Sequence, residues 1–527
     1  MKNYDVVIIG GGMAGLTAAA YISRDHSTLL IEKQDKLGGL VGSFTVDGFV
    51  LDQGARGIID SGIVLPMLKQ LGIELEFFDN PIRMIVEHEV VDLKSKEDIL
   101  AYGNFLKKLY PDHKKEIDKI IIEIQKVMTY MDVLYGIENP LFLPKPYLMD
   151  YLRETLFPWM LKFLPNIFKA MKMMEPVEDF LYKISQSKEM THIIAQHFFE
   201  STPTFFALSY FSLYLQYKYP KGSTQSLVNK LTEVCENNQT DIHINEEVIK
   251  VDLKNNQIIT NKDTYQFKQI LWAADILQMY KKIDEDSVDS KEIKVLNKMR
   301  EKYQNVKGAE SVLSIYYLTD CDASVLKDTL GPHCFYTANK NSLSNIHLDD
   351  IRENNEFTKD KERLFTWLKD YLFYNTFEVS IPALRDQTLA PKGKSALIIS
   401  TLMDYKLTEH IASLGLYDEF KMFVDKEIRE LFLSYIPQLK GKIKKSIIST
   451  PLTIQKRSYA HEGSLSGYSF ANHPFPAEYR FLKVSQSIKT PFKNVKQAGQ
   501  FVFNPAGVPV AILTGKLAAD QIIKELK

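Results

Sequence analysis

Cysteine is scarce: three residues in a chain of 527, Cys235, Cys321 and Cys334, too few and too scattered for a disulfide framework or a zinc site. They read as buried free thiols in a reducing compartment. An excess of charge of one sign is missing too. Lys and Arg number 65 against 66 Asp and Glu, a formal net charge of −1, which offers no electrostatic ground for binding nucleic acid. No apolar run reaches the length of about 18 residues that a transmembrane helix needs. The first strand begins at Asp5, which leaves no room for a signal peptide ahead of it. The expected location is the cytoplasm, peripheral contact with the inner membrane face remaining open.

Several catalytic signatures are absent as well. There is no H-E-x-x-H, and His192 and His197 stand at i, i+5, wrong for one helical face. Gly463-Ser464-Leu465-Ser466-Gly467 carries Leu where a nucleophile elbow needs Ser. Metal and hydrolase chemistry therefore have no support, and no metal ligands are assigned.

What is present begins with Asp5-Val6-Val7-Ile8-Ile9, whose β-branched run suits a parallel strand buried on both faces. Gly10, Gly12 and Gly15 follow at G-x-G-x-x-G spacing with Met13 and Ala14 between them, and Leu16 to Ser23 continues as an alanine-rich helix. In that pattern the glycines allow a tight turn, close approach to a pyrophosphate and close helix packing, with the helix N-terminus facing the phosphates. A second strand, Thr28 to Ile31, ends at Glu32, about 20 residues after the first glycine, where an acid can bond a ribose hydroxyl. A ligand-free glycine turn would not require this order of strand, glycines, helix, strand and acid.

Beyond Glu32-Lys33 come Gly38-Gly39, Ser43 and Asp52-Gln53-Gly54-Ala55-Arg56. With these the chain resembles the FAD-dependent oxidoreductases of the amine oxidase and phytoene desaturase superfamily, a group that includes retinol saturase-like and carotenoid isomerase-like proteins. The resemblance implies FAD, held at this end by Gly10, Gly12, Met13, Ala14, Gly15, Glu32, Lys33, Gly38, Gly39, Ser43, Gly54, Ala55 and Arg56. Leu40 stands where the family often has Arg, which leaves Arg56 to supply that contact. Tyr219-Pro220-Lys221-Gly222-Ser223, a helix from Gln225 to Cys235, strands at 241–251 and 257–260, and a buried strand from Ile270 to Ala274 repeat the family's order on its return to the FAD domain. Val248 is then the implied adenine-contacting valine. Near the C-terminus, Asn494 to Gln500 reads as a strand ending in glycine, and Pro505-Ala506-Gly507-Val508-Pro509 opens a helix. The resemblance places Gly499, Gln500, Gly507 and Val508 at the flavin, where the positive helix end would stabilise a negatively charged reduced ring. Gln500 departs from the aspartate common at that position.

The implied architecture is α/β: a Rossmann-type FAD-binding domain built from 1–75, 219–280 and 461–527, interleaved with an α+β substrate domain at 76–218 and 281–460 and a helical lid or membrane-facing subdomain. Within 141–176, Leu148, Tyr151, Leu152, Leu156, Phe157, Trp159, Met160, Phe163, Leu164, Ile167, Phe168, Met171 and Met174 alternate with Lys162, Lys169 and Lys172. Pro158 and Pro165 are expected to break or kink this stretch. It suits a membrane interface or the wall of a lipid tunnel, and equally a helix packed on a core. Phe205, Phe206, Tyr210, Phe211, Tyr214 and Tyr217 suit a deep cavity or a packed core. A second charged helix is expected near 349–372.

The implied activity is hydride transfer between flavin and a C–C bond of a hydrophobic isoprenoid or polyene substrate resembling a carotenoid or retinoid. A redox-neutral cis–trans isomerase, an amine oxidase, and a non-catalytic flavin subunit or lipid carrier remain open. A second G-x-G-x-x-G is missing, so electrons would be exchanged with an external acceptor or donor. Spacing fixes no catalytic residue. Arg56, His461 and Tyr468 are the candidates, with Arg457 and Phe470 also expected near the ring.

Overall fold

The computed structural model describes residues 1–143 and 148–527, and the backbone alone of Leu148; residues 144–147, part of the aromatic 141–176 stretch, lie outside the described residues. Two seven-stranded sheets organise the chain. Val6, Val7 and Ile8 have no exposed surface, which puts Lys2–Ile9 in the interior of the first sheet. It pairs in parallel with Thr28–Ile31 on one side and Thr264–Trp272 on the other, and Ile9 aligns with both Ile31 and Trp272. Asp241–His243 extends one edge, and the hairpin of Gln257–Thr260 and Val248–Asp252 extends the other. Val495–Gln497 joins in parallel beside Ile270 to Trp272. Three separated stretches of chain therefore meet in one sheet. The single strand expected over 241–251 is in fact two strands at opposite edges, parted by a turn at Asn245, whose φ is 53°.

Met13–Ile22 lies buried along its whole length against this sheet. The C-terminal helix, Val508–Leu526, crosses it at Gly515, where a Cβ would stand 2.4 Å from the Ala14 carbonyl oxygen. Only glycine permits that approach.

The second sheet runs Ile443–Ser449, Ser311–Thr319, Ser395–Met403, Thr376–Ser380, His333–Thr337, Ile82–Val86 and Glu89–Leu93. Its pairs are antiparallel except that of His333–Thr337 with Ile82–Val86. Lys361–Tyr374 and Tyr417–Tyr435 cover one face, burying Leu364, Leu368, Phe420, Val424 and Phe432. The helix expected from 349 begins only at Lys361. Arg352–Glu353 and Glu356–Phe357 form a small hairpin instead, because Asn354 and Asn355 adopt φ of 52° and 67° and make a two-residue turn.

A helical layer, including Lys114–Leu134, Phe157–Ala170 and Thr204–Leu213, packs around Ile117, Ile120, Ile124 and Phe163. Pro158 follows directly on a π-helical turn, Leu152–Leu156, in an otherwise continuous helix, so the helix is locally widened there rather than broken. Pro165 lies inside the same helix, which continues through it, so the break expected there does not occur. Among the described residues no helix is long and apolar enough to cross a membrane.

Candidate functional site

The parallel strands of the first sheet end at a cavity of about 1590 Å³ that extends to the second sheet and the helical layer. Ligands of open α/β sheets bind at such carboxyl ends. Gly10, Gly12, Met13, Ala14, Glu32, Lys33, Gly38, Gly39, Gly54, Ala55, Arg56, Val248, Gly499, Gln500, Gly507 and Val508 all line it. Two of the expected cofactor residues do not. Gly15 sits behind the loop, where a Cβ would be 1.9 Å from the Gly10 carbonyl oxygen, so its task is packing. Ser43 is buried, and its hydroxyl donates to Asp52 Oδ1 at 2.9 Å rather than facing the cavity.

The loop has the shape a dinucleotide needs. A Cβ on Gly12 would meet nothing within 4 Å: the space beside it is open at the uncapped N-terminus of Met13–Ile22, where backbone N–H groups await an anion. Glu32 accepts from the backbone N–H of Gly11 at 2.7 Å and of Gln34 at 2.8 Å. Burial pushes its carboxyl up, and those two donors oppose the shift. Lys33 pairs with Glu247 at 2.8 Å and stands 3.3 Å above the Tyr459 ring. The C-terminal helix Val508–Leu526 likewise starts without a side-chain cap, after Gly507 at a φ of 147°. These residues fit FAD.

Arg56 is buried and binds this wall to the second sheet. Its guanidinium donates to the Asp52 carbonyl at 2.7 Å, the Gly54 carbonyl at 2.9 Å and Ser400 Oγ at 2.9 Å. The other two catalytic candidates lie behind the cavity wall. Within the 460–470 loop, Ala460, Leu465, Ser466 and Phe470 line the cavity, as does Arg457 just before it. His461 turns away, its Nε2 2.6 Å from the Val306 carbonyl oxygen. Tyr468 is buried, stacked on Tyr303 and edge-on to Phe501. Neither His461 nor Tyr468 reaches the cavity.

The spacing-based reading missed a carboxylate. Glu378 lines the cavity from Thr376–Ser380, with a third of its side chain open, and its Oε1 lies 2.8 Å from Nε2 of the fully buried His333. Nδ1 of His333 lies 3.0 Å from Nδ2 of Asn80, whose Oδ1 accepts from Arg385 at 2.8 Å. Burial pushes the Glu378 carboxyl up, but the His333 hydrogen bond and the charges of Arg56 and Arg385 oppose it, and the carboxyl is held below its ordinary value. Burial holds the His333 imidazole below its ordinary value despite Glu378. The signal was a lone acid in an otherwise buried strand.

The rest of the wall is apolar and aromatic. Trp159, Met160 and Phe163 face the cavity from one helix, and Phe205, Phe206 and Tyr210 from another, with Tyr217 beyond. Phe211 and Tyr214 are packed into the helical core instead. The aromatic stretch thus divides between the two expected roles.

A model of the family described as flavin containing amine oxidoreductase matches residues 13–523. The chain is 21% identical to the all-trans-retinol 13,14-reductase of Danio rerio, over 99% of this chain and 86% of that protein. It is also 21% identical to a 4,4'-diapophytoene desaturase (4,4'-diaponeurosporene-forming) of Staphylococcus aureus, over 99% of each. Its fold is similar to that of a putrescine oxidase variant, with a TM-score of 0.59 at 14% identity over 99% of both chains.

Proposed function

The chain belongs to the family of flavin-containing amine oxidoreductases and is an FAD-dependent oxidoreductase, and from that premise we propose that it transfers hydride between flavin and a C–C bond of a hydrophobic, isoprenoid or polyene substrate resembling a carotenoid or retinoid. The observation that carries this reading is the apolar, aromatic wall formed by Trp159, Met160, Phe163, Phe205 and Phe206 on the same cavity as the glycine loop. The two relatives named for retinol and diapophytoene chemistry agree with it. Bound FAD supplies the hydride chemistry. The protein's residues hold it: Gly10, Gly12, Glu32 and Val248 on the nucleotide side, Gly499, Gln500, Gly507 and Val508 at the other. The FAD domain comprises 1–75, 219–280 and 461–527, which contain every strand of the first sheet.

The protein is cytoplasmic in this reading and touches the inner membrane face through 141–176, where Phe157, Leu161 and Phe168 are 65%, 64% and 59% exposed beside Lys162 and Lys169. Electrons pass to or from an external partner. The test is incubation of purified yellow protein in phosphatidylcholine vesicles with all-trans-retinol plus dithionite as electron donor, and with 4,4'-diapophytoene plus a soluble quinone as electron acceptor, followed by mass spectrometry. A mass change of two hydrogens is expected. A product of unchanged mass makes it an isomerase, hydrogen peroxide released from amines makes it an amine oxidase, and a flavin that no substrate or reductant bleaches makes it a binding subunit.

A further inference from the structure

The Glu378 carboxylate enters the cavity from the second sheet, across from the glycine loop, and its surroundings are built to keep it there in one state. Asn80 receives the Arg385 guanidinium on Oδ1, so its Nδ2 is the group that faces Nδ1 of His333 and donates to it. Nδ1 is thereby an acceptor, the ring proton resides on Nε2, and Nε2–H donates to Glu378 Oε1 at 2.8 Å. Three residues in series fix one tautomer and one carboxylate position. Among the described residues His333 is the only hydrogen-bond partner of that carboxylate, whose remaining surface opens to the cavity.

Resting on the substrate reading above, we propose that Glu378 is a catalytic residue that exchanges a proton with the carbon skeleton of the substrate, and that His333 is the positioning residue that holds it. In the desaturating direction a substrate C–H bond breaks, its proton goes to a Glu378 oxygen and its electron pair becomes the new π bond. The adjacent carbon gives up its hydrogen with the bonding pair to oxidised FAD. Loss of that hydride leaves the neighbouring C–H strongly acidic, so a carboxylate is a sufficient base. The saturating direction reverses each transfer, and Glu378 returns the proton.

The charge balance argues for a base rather than a receptor for an ammonium group. The charges of Arg56 and Arg385 act on Glu378, and Arg385 lies 3.9 Å over the ring of Tyr219, whose hydroxyl donates to Asp52 Oδ2 at 2.7 Å. Two guanidiniums thus offset two carboxylates, Asp52 and Glu378, which leaves no surplus negative charge for a cationic substrate. The neighbouring Tyr210, Tyr214 and Tyr217 have their hydroxyls held above the ordinary value by burial, so they stay neutral.

The experiment uses the FAD-loaded protein in phosphatidylcholine vesicles, with 4,4'-diapophytoene and a soluble quinone as electron acceptor for the desaturating direction, and with all-trans-retinol and dithionite as electron donor for the saturating direction. Glu378→Gln is expected to keep its flavin absorbance and its KM and to lose kcat by about 100-fold or more, and Glu378→Asp to recover part of the loss. His333→Leu is expected to move the acid limb of the kcat profile to higher pH, since the hydrogen bond that favours the carboxylate is gone. Independently of turnover, the 15N spectrum of histidine-labelled protein at pH 7 should show the resonances absent from His333→Leu as a neutral ring protonated at Nε2. An imidazolium, or a ring protonated at Nδ1, overturns the arrangement. Undiminished kcat in Glu378→Gln overturns the proposal alone. Wild-type protein that converts neither probe overturns the substrate reading and the proposal together.

Discussion

Gly15 lies so close to Gly10 that a Cβ on it would stand 1.9 Å from the Gly10 carbonyl oxygen, while a Cβ on Gly12, three residues away, would meet nothing within 4 Å. The two glycines therefore separate fold from cofactor. Gly15→Ala forces backbone apart and is expected to lower stability by about 1–3 kcal/mol. Gly12→Leu projects into open cavity and is expected to change apoprotein stability by under about 1 kcal/mol while abolishing retention of FAD. Urea unfolding of apoprotein and the ratio of flavin to protein absorbance read the two effects independently. Equal loss of stability in both variants would contradict the division.

Arg56 is expected to act through architecture. Arg56→Met leaves the Asp52 and Gly54 carbonyls and Ser400 without its three donated bonds, which should cost about 2–4 kcal/mol. Arg56→Lys should rescue little, because a single ammonium does not reproduce a planar fork aimed at three acceptors. Because Gly54 and Ala55 line the cavity, FAD occupancy should fall in step with stability. A variant with normal stability and lost turnover would show a direct chemical role instead.

The nucleotide half of the site was legible in the sequence because its geometry is local. Strand, glycines, helix and acid lie within a short stretch, and the glycine spacing reports backbone approach directly. The Glu378–His333 pair was not. His333 meets Glu378 only because His333–Thr337 pairs with Thr376–Ser380 in a register that sets His333 opposite Ser380, and one sequence does not reveal that pairing. His461 and Tyr468 are near the cavity along the chain, yet in an irregular loop no periodicity says which side chains turn inward. In helices it does: the outward and cavity-facing sets of Phe157–Ala170 follow from their spacing.

Glu310 should make stability depend on pH. Burial pushes its carboxyl up to about 7 from an ordinary 4.5; the Glu200 backbone N–H opposes that shift, the Glu200 carboxylate adds to it and Lys307 opposes it. Its Oε1 accepts from the Glu200 N–H at 2.6 Å, and its Oε2 is buried with no partner among the described residues. The unfolded chain ionises first, so this group's contribution is full below about pH 4.5 and is lost as pH rises through about 7. Glu310→Gln removes the titration. It is expected to raise stability by about 1–2 kcal/mol at pH 8 and to leave it unchanged at pH 4. Urea midpoints at the two pH values check this, and a gain of equal size at both would point to packing instead.

The two faces of Phe157–Ala170 carry the last expectation. Phe157, Leu161 and Phe168 project outward with well over half of each side chain exposed, while Trp159, Met160 and Phe163 line the cavity from the opposite arc. A single helix therefore presents one apolar face to the outside and another to the cavity. Burying each outward side chain in a membrane interface is worth about 1.5–3 kcal/mol. Replacing both Phe157 and Leu161 with Glu should then lower partitioning onto phosphatidylglycerol-containing vesicles by about 100-fold or more, with flavin content and stability unchanged because the exposed positions pack on little. KM for vesicle-held retinol should rise, while kcat with detergent-dispersed retinol should not change. Unaltered vesicle flotation in the double variant would place membrane contact elsewhere on the surface or remove it.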